Sequence, residues 1–470
     1  MPKYERLSSL DRSFLDVENP ASHMHVAGVM ILEAGPLTTP GGGIDIDRIR
    51  RGVAASLPMM PRYRQRIERV PIANHPVWVD DDRFNLDYHV RHTALPHPGG
   101  EEQLKRLAGR IFSQQLDRGK PLWETWVIEG LDEGHFAMIS KTHHCMIDGI
   151  AAVDLVSALL STTPDAVEPP PVTPWEPEPV PTPGELLLDA AARRIKTPIE
   201  LAPAVREALE NPVEAIGNFT QELGAIGETL RAGLFPASDT PFNKPIGPHR
   251  RFDWMAMDLA DVKRIKNRLG GTVNDVVLAT VAGAIGSFLG RRGFAPERLA
   301  DLDFRALVPV SLRTAAQRGT VGNRIAAWPA PLPIAEKDPH RRLKAVSATT
   351  GDLKQSRQAM GAEVLSRVSE WTAPTLLSVA MRMTARARSY NITVTNVPGP
   401  QMPLYLLGAK MLAAYPMGPL FENQALNIAL LSYNGVLHWG LNADYDALPD
   451  LGEIIAAIRT SFSELQKAAG

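Results

Sequence analysis

The chain has 470 residues, of which 44% are hydrophobic, 22% charged and 6% aromatic. This composition excludes a chain that is disordered throughout, and the length predicts two or three domains with sizeable cores. The 50 Lys and Arg residues nearly balance the 52 Asp and Glu residues, so no overall positive field favours binding to nucleic acid.

The N-terminal segment and the single cysteine bear on localisation. The opening MPKYERLSSLDRSFLDVENP carries charges where a secretory signal needs an unbroken apolar run. Cys145 is the one cysteine and cannot form an intramolecular disulfide, which fits a reducing compartment. The longest apolar stretch, Val276 to Leu289, is shorter than the roughly 20 residues of a membrane span. We therefore expect a cytoplasmic protein in which this stretch is a buried helix.

Strand and helix patterns alternate in the first third of the chain. Strands are predicted at Val26 to Ala34, TWVIEG and HFAMISKTHH, and helical spacing occurs in DRIRRGVAASL and GEEQLKRLAGRIFSQQL. This alternation predicts an α/β fold with mixed sheets and packed helices.

A proline-rich stretch interrupts that alternation. Pro164 to Gly184 contains nine of the 40 prolines, and each proline fixes φ and removes a backbone donor. An extended linker is the predicted result. Residues 185–235 then change to a helix-forming composition, which predicts two or three amphipathic helices.

The alternation resumes in the second half of the chain. Helices are predicted at DLADVKRIKNRL, after Asp275, around DPHRRLKAVSATTGDLKQS, at APTLLSVAMRMTAR and at LPDLGEIIAAIRTSFSELQKA. Strands are predicted at DFRALVPVSL, YNITVTNV, NQALNIALLSY and GVLHWGLNAD. The predicted organisation is an N-terminal domain over 1–163, a linker over 164–184, a helical crossover over 185–240 and a C-terminal domain over 241–470.

The segment THHCMIDGIAAVDLVSALL is the strongest candidate site. A strand ends at His143 and His144, a turn follows, and Asp148 and Gly149 begin an apolar helix. Side chains at the end of a strand lie at the rim of a sheet, where ligand crevices form. An imidazole there can accept a proton from a bound hydroxyl, although both rings could instead be satisfied by backbone carbonyls. Asp148 could orient the turn or cap the helix.

Other chemistries are less well supported. A zinc site is disfavoured because no histidine pair has zinc-type spacing, and the three pairs are His23 and His25, His89 and His92, and His143 and His144. No G-x-S-x-G motif or phosphate-binding glycine loop occurs. Cys145 adjoins His144, but neighbouring residues at a strand end point in opposite directions, so a small buried thiol is expected.

The motifs resemble a known family. HHCMIDG matches the HHxxxDG motif of the acyltransferases that include chloramphenicol acetyltransferase and peptide-synthetase condensation domains. Seven further segments, in the same order along the chain, resemble the bacterial wax ester synthase/acyl-CoA:diacylglycerol acyltransferases. They are RLSSLDRSFLDVE, PLWE, NKPIGPHRR, TVNDVVLA, VPVSLR, the GN at 322–323 and TNVPGP.

The resemblance implies two chloramphenicol-acetyltransferase-like α/β domains, with an active-site tunnel at their interface. It also implies that His144 is the proton acceptor and that Asp148 is mainly structural, whereas the residues alone do not distinguish His143 from His144. In the tunnel, Asn396 of the TNVPGP turn is a substrate-binding candidate.

Two further segments are candidates for the site. The resemblance makes the PLW residues, Pro121, Leu122 and Trp123, substrate-binding candidates, although a Trp in an apolar segment usually fills a core. Asn274 and Asp275 lie at the N-terminus of the long apolar helix, where free N–H groups favour negative charge. Asn274 could support a developing oxyanion or simply cap the helix, and Asp275 is a substrate-binding candidate.

The resemblance implies an O-acyltransferase that transfers a long-chain acyl group from acyl-CoA to diacylglycerol or to a fatty alcohol. It implies no cofactor, because acyl-CoA is a substrate, and it implies peripheral contact with the inner membrane face or with lipid inclusions. A condensation-type enzyme acting on a polyketide or peptidyl acceptor is one alternative, and a non-catalytic lipid-binding protein of the same fold is another.

Two groups of arginines could meet CoA phosphates or anionic lipid headgroups, although the second also fits a solvated helix end. The groups are Arg48, Arg50, Arg51, Arg62, Arg64, Arg66 and Arg69, and Arg382, Arg386 and Arg388.

Overall fold

The structure is a computed structural model that describes residues 4–72, 74–146, 158–165, 168–171, 174–189, 236–311, 325–359 and 388–470. Several predictions lie outside these residues, namely those on Asp148, Gly149, Arg382 and Arg386, the GN at 322–323, most of the helical crossover, and the helix at APTLLSVAMRMTAR.

A seven-stranded mixed sheet is built mainly from the N-terminal half. Its spatial order is β5-β6-β7-β2-β14-β13-β8. The strands are β2 (His25–Glu33), β5 (Val90–Ala94), β6 (Trp123–Glu129), β7 (His135–His143), β8 (Leu160–Ser161), β13 (Tyr405–Leu406) and β14 (Ala409–Met417). β5 and β6 are parallel, whereas β6, β7, β2 and β14 pair antiparallel.

A six-stranded mixed sheet forms the centre of the C-terminal half. Its spatial order is β11-β10-β12-β15-β16-β9. The strands are β9 (Arg250–Asp258), β10 (Arg305–Ser311), β11 (Ile325–Pro331), β12 (Ile392–Pro398), β15 (Leu426–Tyr433) and β16 (Val436–Asp444). The parallel pairs are β10 with β12 and β12 with β15. The two mixed sheets confirm the predicted α/β class.

β14 connects the two halves. It lies between β12 and β15 in the sequence, yet it pairs with β2 of the N-terminal sheet, placing Ala414 opposite Met30. β14 and β16 cross very closely at Pro416 and Gly440. A Cβ added at Gly440 would lie 1.9 Å from the carbonyl oxygen of Pro416. Only glycine fits this crossing.

A small third sheet lies beside the N-terminal half. It has the order β1-β4-β3 and consists of β1 (Glu5–Arg6), β3 (Gln65–Arg69) and β4 (Pro76–Asp80). Residues 174–182 of the proline-rich stretch form neither helix nor strand, and residues 183–189 are helical. Leu186 of this helix packs in one apolar cluster with Val77 of β4 and with Val70, which directly follows β3.

Helices cover the two large sheets. They are α1 (Ser9–Val17), α2 (Ile46–Ser56), α3 (Leu86–His89), α4 (Glu101–Ser113), α5 (Leu259–Leu269), α6 (Val273–Arg291), α7 (Pro296–Asp301), α8 (Pro339–Ala359) and α9 (Leu451–Ala469). α4 packs on one face of the N-terminal sheet, where Leu104 and Ile111 contact Val29 and Ile139. α6 packs between α8 and α9 in the core of the C-terminal half.

α6 is the apolar helix predicted at Val276 to Leu289. Within the described residues it is the one helix whose length and composition would allow a membrane span, but 72% of its apolar window is buried inside the protein. The prediction of a buried helix is confirmed. Its cap is Thr272, whose hydroxyl accepts from the Asp275 N–H while the Asp275 carboxylate accepts from the Thr272 N–H, so Asn274 is not the cap.

Four strands of the second half were not predicted, namely β9, β11, β13 and β14. For β11 and β14 the composition gives a physical reason. β11, IAAWPAP, contains two prolines, which are tolerated because β11 is at the edge of its sheet. β14, AKMLAAYPM, contains three alanines and Pro416, a composition with little strand preference. The pairing of β14 with a strand far away in the sequence fixes its structure.

Candidate functional site

The two histidines of the HHxxxDG motif lie at the end of β7, beside β2. His143 is the last residue of β7 and is directly opposite His25. His144 begins a short 3-10 turn. The N–H of His143 donates to the carbonyl of Leu122 (2.9 Å), and the N–H of His144 donates to that of Met24 (2.7 Å). Hydrogen bonds to two separate segments therefore fix the backbone that carries both imidazoles.

His144 has a partly exposed ring that stacks on Phe14 of α1, with the ring centroids 4.0 Å apart. Its Nδ1 is buried and has no hydrogen-bond partner among the described residues. Burial, together with the nearby His143, lowers the pKa of His144 to about 4. The ring is therefore neutral at pH 7 and has a lone pair that can accept a proton.

His143 is buried in a group of charged and polar side chains. Its Nδ1 accepts from the N–H of Cys145 (3.1 Å), and its Nε2 faces the Oε2 of Glu18 at 3.6 Å. The other carboxylate oxygen of Glu18 lies 3.5 Å from Nε2 of His25. Arg118 donates to Glu18 through Nε (3.0 Å) and Nη2. The site thus contains a buried carboxylate that contacts two imidazoles and a guanidinium.

The charge states in this group follow from burial and contacts. Burial raises the pKa of Glu18, but the contacts with His143 and His25 and the hydrogen bond from Arg118 outweigh it, and the net pKa is well below the usual range. Burial lowers the pKa of His25 to about 3, although Glu18 raises it. At neutral pH Glu18 is therefore ionised and His25 is neutral.

Sequence reasoning did not identify Glu18 or Arg118, and it considered His25 only as a loosely spaced metal ligand. Glu18 lies within the matched segment RLSSLDRSFLDVE, but it is 100 residues from Arg118 in the chain. Spacing along the sequence carries no signal for such a contact.

Lys141 lies two residues before His143, on the same side of β7. Its side chain is fully buried, lies 2.5 Å from Glu124, and donates to the carbonyls of Ile111 (2.9 Å) and Gln114 (2.8 Å) at the end of α4. Two ammonium protons therefore have carbonyl acceptors, and the carboxylate of Glu124 balances the charge. Burial lowers the pKa of Lys141, which Glu124 partly offsets.

The PLW segment lies next to the histidines and contacts them mainly through its backbone. Leu122 is fully buried and its carbonyl holds the N–H of His143. Trp123 is 1% exposed, stacks on His89 and donates from Nε1 to the carbonyl of Tyr63 (2.8 Å). Trp123 fills the core, and Pro121 precedes it in the loop between α4 and β6. Contact of this segment with substrate stays a prediction.

The other candidates lie in the C-terminal half. Asn274 is the second residue of α6, and the Asp275 carboxylate accepts from the hydroxyl of Thr350 in α8 (2.7 Å) as well as capping α6. Asn396 is half-buried in β12, opposite Leu430 of β15. Their roles toward a substrate stay predictions.

A cavity of about 310 Å³ lies on the face of β2 and β7 opposite α4. β2 and β7 contribute Val26, Gly28, Met30, Ser140 and Thr142, and the C-terminal half contributes Pro400, Leu404, Met411, Ala414, Leu431 and Tyr433 among others. The lining is mainly apolar. The cavity thus lies between the two halves, and it adjoins the motif because Thr142 is two residues before His144.

Cys145 is 2% exposed, and burial raises the pKa of its thiol well above the usual value. The prediction of a buried thiol is confirmed. A protonated thiol is a poor nucleophile, so a covalent intermediate on Cys145 is disfavoured.

The described arginines of the two groups have partners within the protein. Arg48 lies 3.0 Å from Glu168, Arg50 3.2 Å from Asp87 and Arg66 2.6 Å from Glu68. Arg62 and Arg64 lie over the rings of Trp78 and Trp175, Arg69 donates to Asn74, and Arg51 and Arg388 lie within ion-pair distance of Glu168 and Asp239. A phosphate would compete with these partners, and its binding here stays a prediction.

In the part of the chain that the structure describes, no three His, Cys, Asp or Glu side chains are placed to hold a metal ion.

Comparison with known proteins identifies the family. The model of the wax ester synthase/diacylglycerol acyltransferase catalytic domain matches residues 7–277, and the model of the C-terminal domain of the same family matches residues 321–466. The chain belongs to the wax ester synthase/diacylglycerol acyltransferase family. The family resemblance stated from the motifs is therefore confirmed.

Relatives from Mycobacterium tuberculosis extend the match over almost the whole chain. One assigned as a diacylglycerol O-acyltransferase is 35% identical, with 98% of this chain and 90% of the relative covered. Another with the same assignment, tgs1, is 32% identical, with 98% and 95% covered. The chain is therefore an acyltransferase that uses an acyl donor and a lipid acceptor, and the prediction of an enzyme is confirmed.

Solved structures support the same fold. The wax ester synthase/diacylglycerol acyltransferase from Marinobacter aquaeolei VT8 is 25% identical, has a TM-score of 0.71, and is covered over 100% of its chain and 99% of this one. The first condensation domain of the calcium-dependent antibiotic synthetase is 14% identical, with a TM-score of 0.58 and coverage of 100% of this chain and 98% of that one. The second likeness shows the fold alone, the two-domain acetyltransferase-like architecture.

Proposed function

We propose that this acyltransferase transfers a long-chain acyl group from acyl-CoA to the hydroxyl of diacylglycerol or of a fatty alcohol, with His144 as general base. One observation carries the proposal. His144 is a partly exposed histidine at the end of β7, two residues beyond Thr142 in the wall of an apolar cavity, and burial lowers its pKa so that the ring is neutral at pH 7. A proton acceptor beside an apolar cavity suits a reaction between a lipid hydroxyl and a lipid thioester.

The buried side of the His144 ring favours one tautomer. No described group donates a hydrogen bond to the buried Nδ1, so we place the ring proton on Nδ1. The lone pair is then on Nε2. Stacking on Phe14 keeps the ring in this orientation.

The reaction then proceeds as acyl transfer without a covalent enzyme intermediate. Nε2 of His144 accepts the proton of the acceptor hydroxyl while the oxygen attacks the thioester carbonyl. The tetrahedral intermediate collapses and its C–S bond breaks, so that CoA leaves as a thiolate. The thiolate takes the proton from the imidazolium, which restores neutral His144. The chemistry needs no cofactor, because the thioester supplies the activated acyl group.

Diacylglycerol is the acceptor that the comparisons favour. The relatives at 35% and 32% identity are both assigned as diacylglycerol O-acyltransferases, whereas the solved structure at 25% identity is named for wax ester synthesis as well. The cavity of about 310 Å³ accommodates part of one lipid chain. Both substrates are poorly soluble in water, so we propose that the enzyme works in peripheral contact with the inner membrane face or with lipid inclusions.

A thiol-release assay with palmitoyl-CoA tests the proposal. We expect CoA release that requires added dioleoylglycerol or hexadecanol, with triacylglycerol or wax ester identified by chromatography. His144→Ala should lower the rate by about 10²- to 10⁴-fold. His75→Ala is a matched control, because burial also lowers the pKa of His75 to about 4, but His75 directly precedes β4 of the small third sheet. Unchanged release in His144→Ala would remove His144 from the mechanism.

A further inference from the structure

Two contacts set the tautomer of His143, one from the turn that carries His144 and one from the carboxylate of Glu18. Nδ1 of His143 accepts from the N–H of Cys145 at 3.1 Å, so the ring proton is on Nε2. Cys145 follows His144 directly, and its N–H is part of the peptide that joins the two residues. The orientation of the His143 ring therefore helps to fix the turn on which His144 is presented.

The other nitrogen of His143 faces a buried carboxylate. Nε2 lies 3.6 Å from Oε2 of Glu18, an electrostatic contact that is longer than a hydrogen bond. The Glu18 side chain is 1% exposed, and Arg118 is hydrogen-bonded to the same oxygen. The carboxylate attracts the Nε2–H dipole, and Arg118 compensates the carboxylate charge.

Arg118 also forms a hydrogen bond to α1, the helix that ends just before Glu18. Its Nη2 donates to the carbonyl of Leu15 (2.9 Å), in the last turn of α1. The same helix carries Phe14, which stacks on the ring of His144. One guanidinium thus fixes the helix end that supplies both the carboxylate facing His143 and the ring under His144.

We propose that Arg118 and Glu18 are positioning residues, which act through His143 to orient the turn that presents His144 to the substrate. The inference rests on the proposed role of His144 and extends it to two residues that touch no reacting atom. Removal of either residue should slow the chemical step and leave acyl-CoA binding unchanged, because a misplacement of about 1 Å at a catalytic group can cost about 100-fold in rate.

The test uses Glu18→Gln, which keeps the shape and removes the charge, and two variants of Arg118. We expect Glu18→Gln to lower kcat about 10- to 100-fold while the KM for palmitoyl-CoA stays within about twofold. Arg118→Lys keeps the charge and should retain more activity than Arg118→Met. Asp450→Asn is the matched control, because Asp450 forms an ion pair with Arg292 in the C-terminal half. It should leave kcat unchanged.

A second readout does not depend on turnover. The ring ¹⁵N chemical shifts of His143, assigned with His143→Ala, should show the Nε2–H tautomer in the full-length enzyme and a mixture of tautomers in Glu18→Gln. If Glu18→Gln does not fold, the comparison of Arg118→Lys with Arg118→Met carries the test.

The inference would be overturned by a kcat in Glu18→Gln or Arg118→Met equal to that of Asp450→Asn. A rise in KM at constant kcat, or an unchanged His143 tautomer in Glu18→Gln, would also overturn it. Failure of the proposed function is a separate result, in which the wild-type enzyme releases no CoA in response to either acceptor.

Discussion

The two faces of β2 and β7 differ sharply in chemistry. On the face toward α4, His25, Lys141 and His143 are buried in contact with carboxylates and backbone carbonyls. On the opposite face, Gly28 and Thr142 line an apolar cavity. Successive side chains of a strand alternate between faces, so one step along the chain separates the two environments. The charged face fixes the strand ends, and the apolar face lines the cavity that we propose receives the lipid.

The largest effect is expected from the charged face. Lys141→Met removes the buried ammonium and leaves Glu124 and two α4 carbonyls without that partner. Breaking a buried ion pair on one side costs about 3–5 kcal/mol. We expect a decrease of this size in the free energy of unfolding, measured with urea.

The matched control for Lys141 is Lys120→Met, because Lys120 is 41% exposed and lies 3.7 Å from Asp117. It should change the free energy of unfolding by less than about 1 kcal/mol. Equal effects of the two substitutions would contradict a special role for the charged face.

A smaller effect is expected from the cavity. Ala414 lines it from β14, opposite Met30, and Ala414→Leu would fill part of the space. We expect the ratio of kcat/KM for palmitoyl-CoA to kcat/KM for octanoyl-CoA to fall about tenfold. This is the size of the effect of one or two methylene contacts. Ala456→Leu, on the exposed side of α9, should leave this ratio unchanged. A constant ratio in Ala414→Leu would show that the acyl chain lies elsewhere.

The smallest effect concerns pH. Burial lowers the pKa of His144 to about 4, and a base is active only when unprotonated. kcat/KM should therefore stay nearly constant from pH 8 to pH 6 and fall only at lower pH. A histidine with an ordinary pKa of about 6.5 would retain about a quarter of its base form at pH 6. A half-maximal kcat/KM near pH 6.5, in enzyme shown to be folded at each pH, would contradict this account.

Local patterns in the sequence predicted much of the fold. The apolar runs of β2, β7, β15 and β16 and the continuous apolar length of α6 were identified correctly, because each pattern is complete within its own segment. The placement of the histidine pair at a strand end followed from the same reasoning. β14 was missed because its structure depends on pairing with β2, and nothing in its own residues specifies that partner.

The side chains around the histidines could be predicted even less well, because they come from segments that are far apart in the sequence. Glu18, Arg118 and His143 converge from three separate segments, and only the fold shows that they meet. Trp123 was uncertain between substrate site and core, because an apolar segment fits both, and the structure places its ring against His89 in the core. The choice of His144 over His143 came from the family resemblance. The geometry adds a physical difference, because His143 is buried beside Glu18 whereas His144 is partly exposed.

The central claim is that neighbouring histidines divide the work, with His144 as the base and His143 as its support. The most direct test measures kcat for His144→Ala and His143→Ala with palmitoyl-CoA and dioleoylglycerol under the same conditions. Our account predicts a loss of about 10²- to 10⁴-fold for His144→Ala and a loss at least tenfold smaller for His143→Ala. A kcat for His143→Ala equal to or below that of His144→Ala would contradict it.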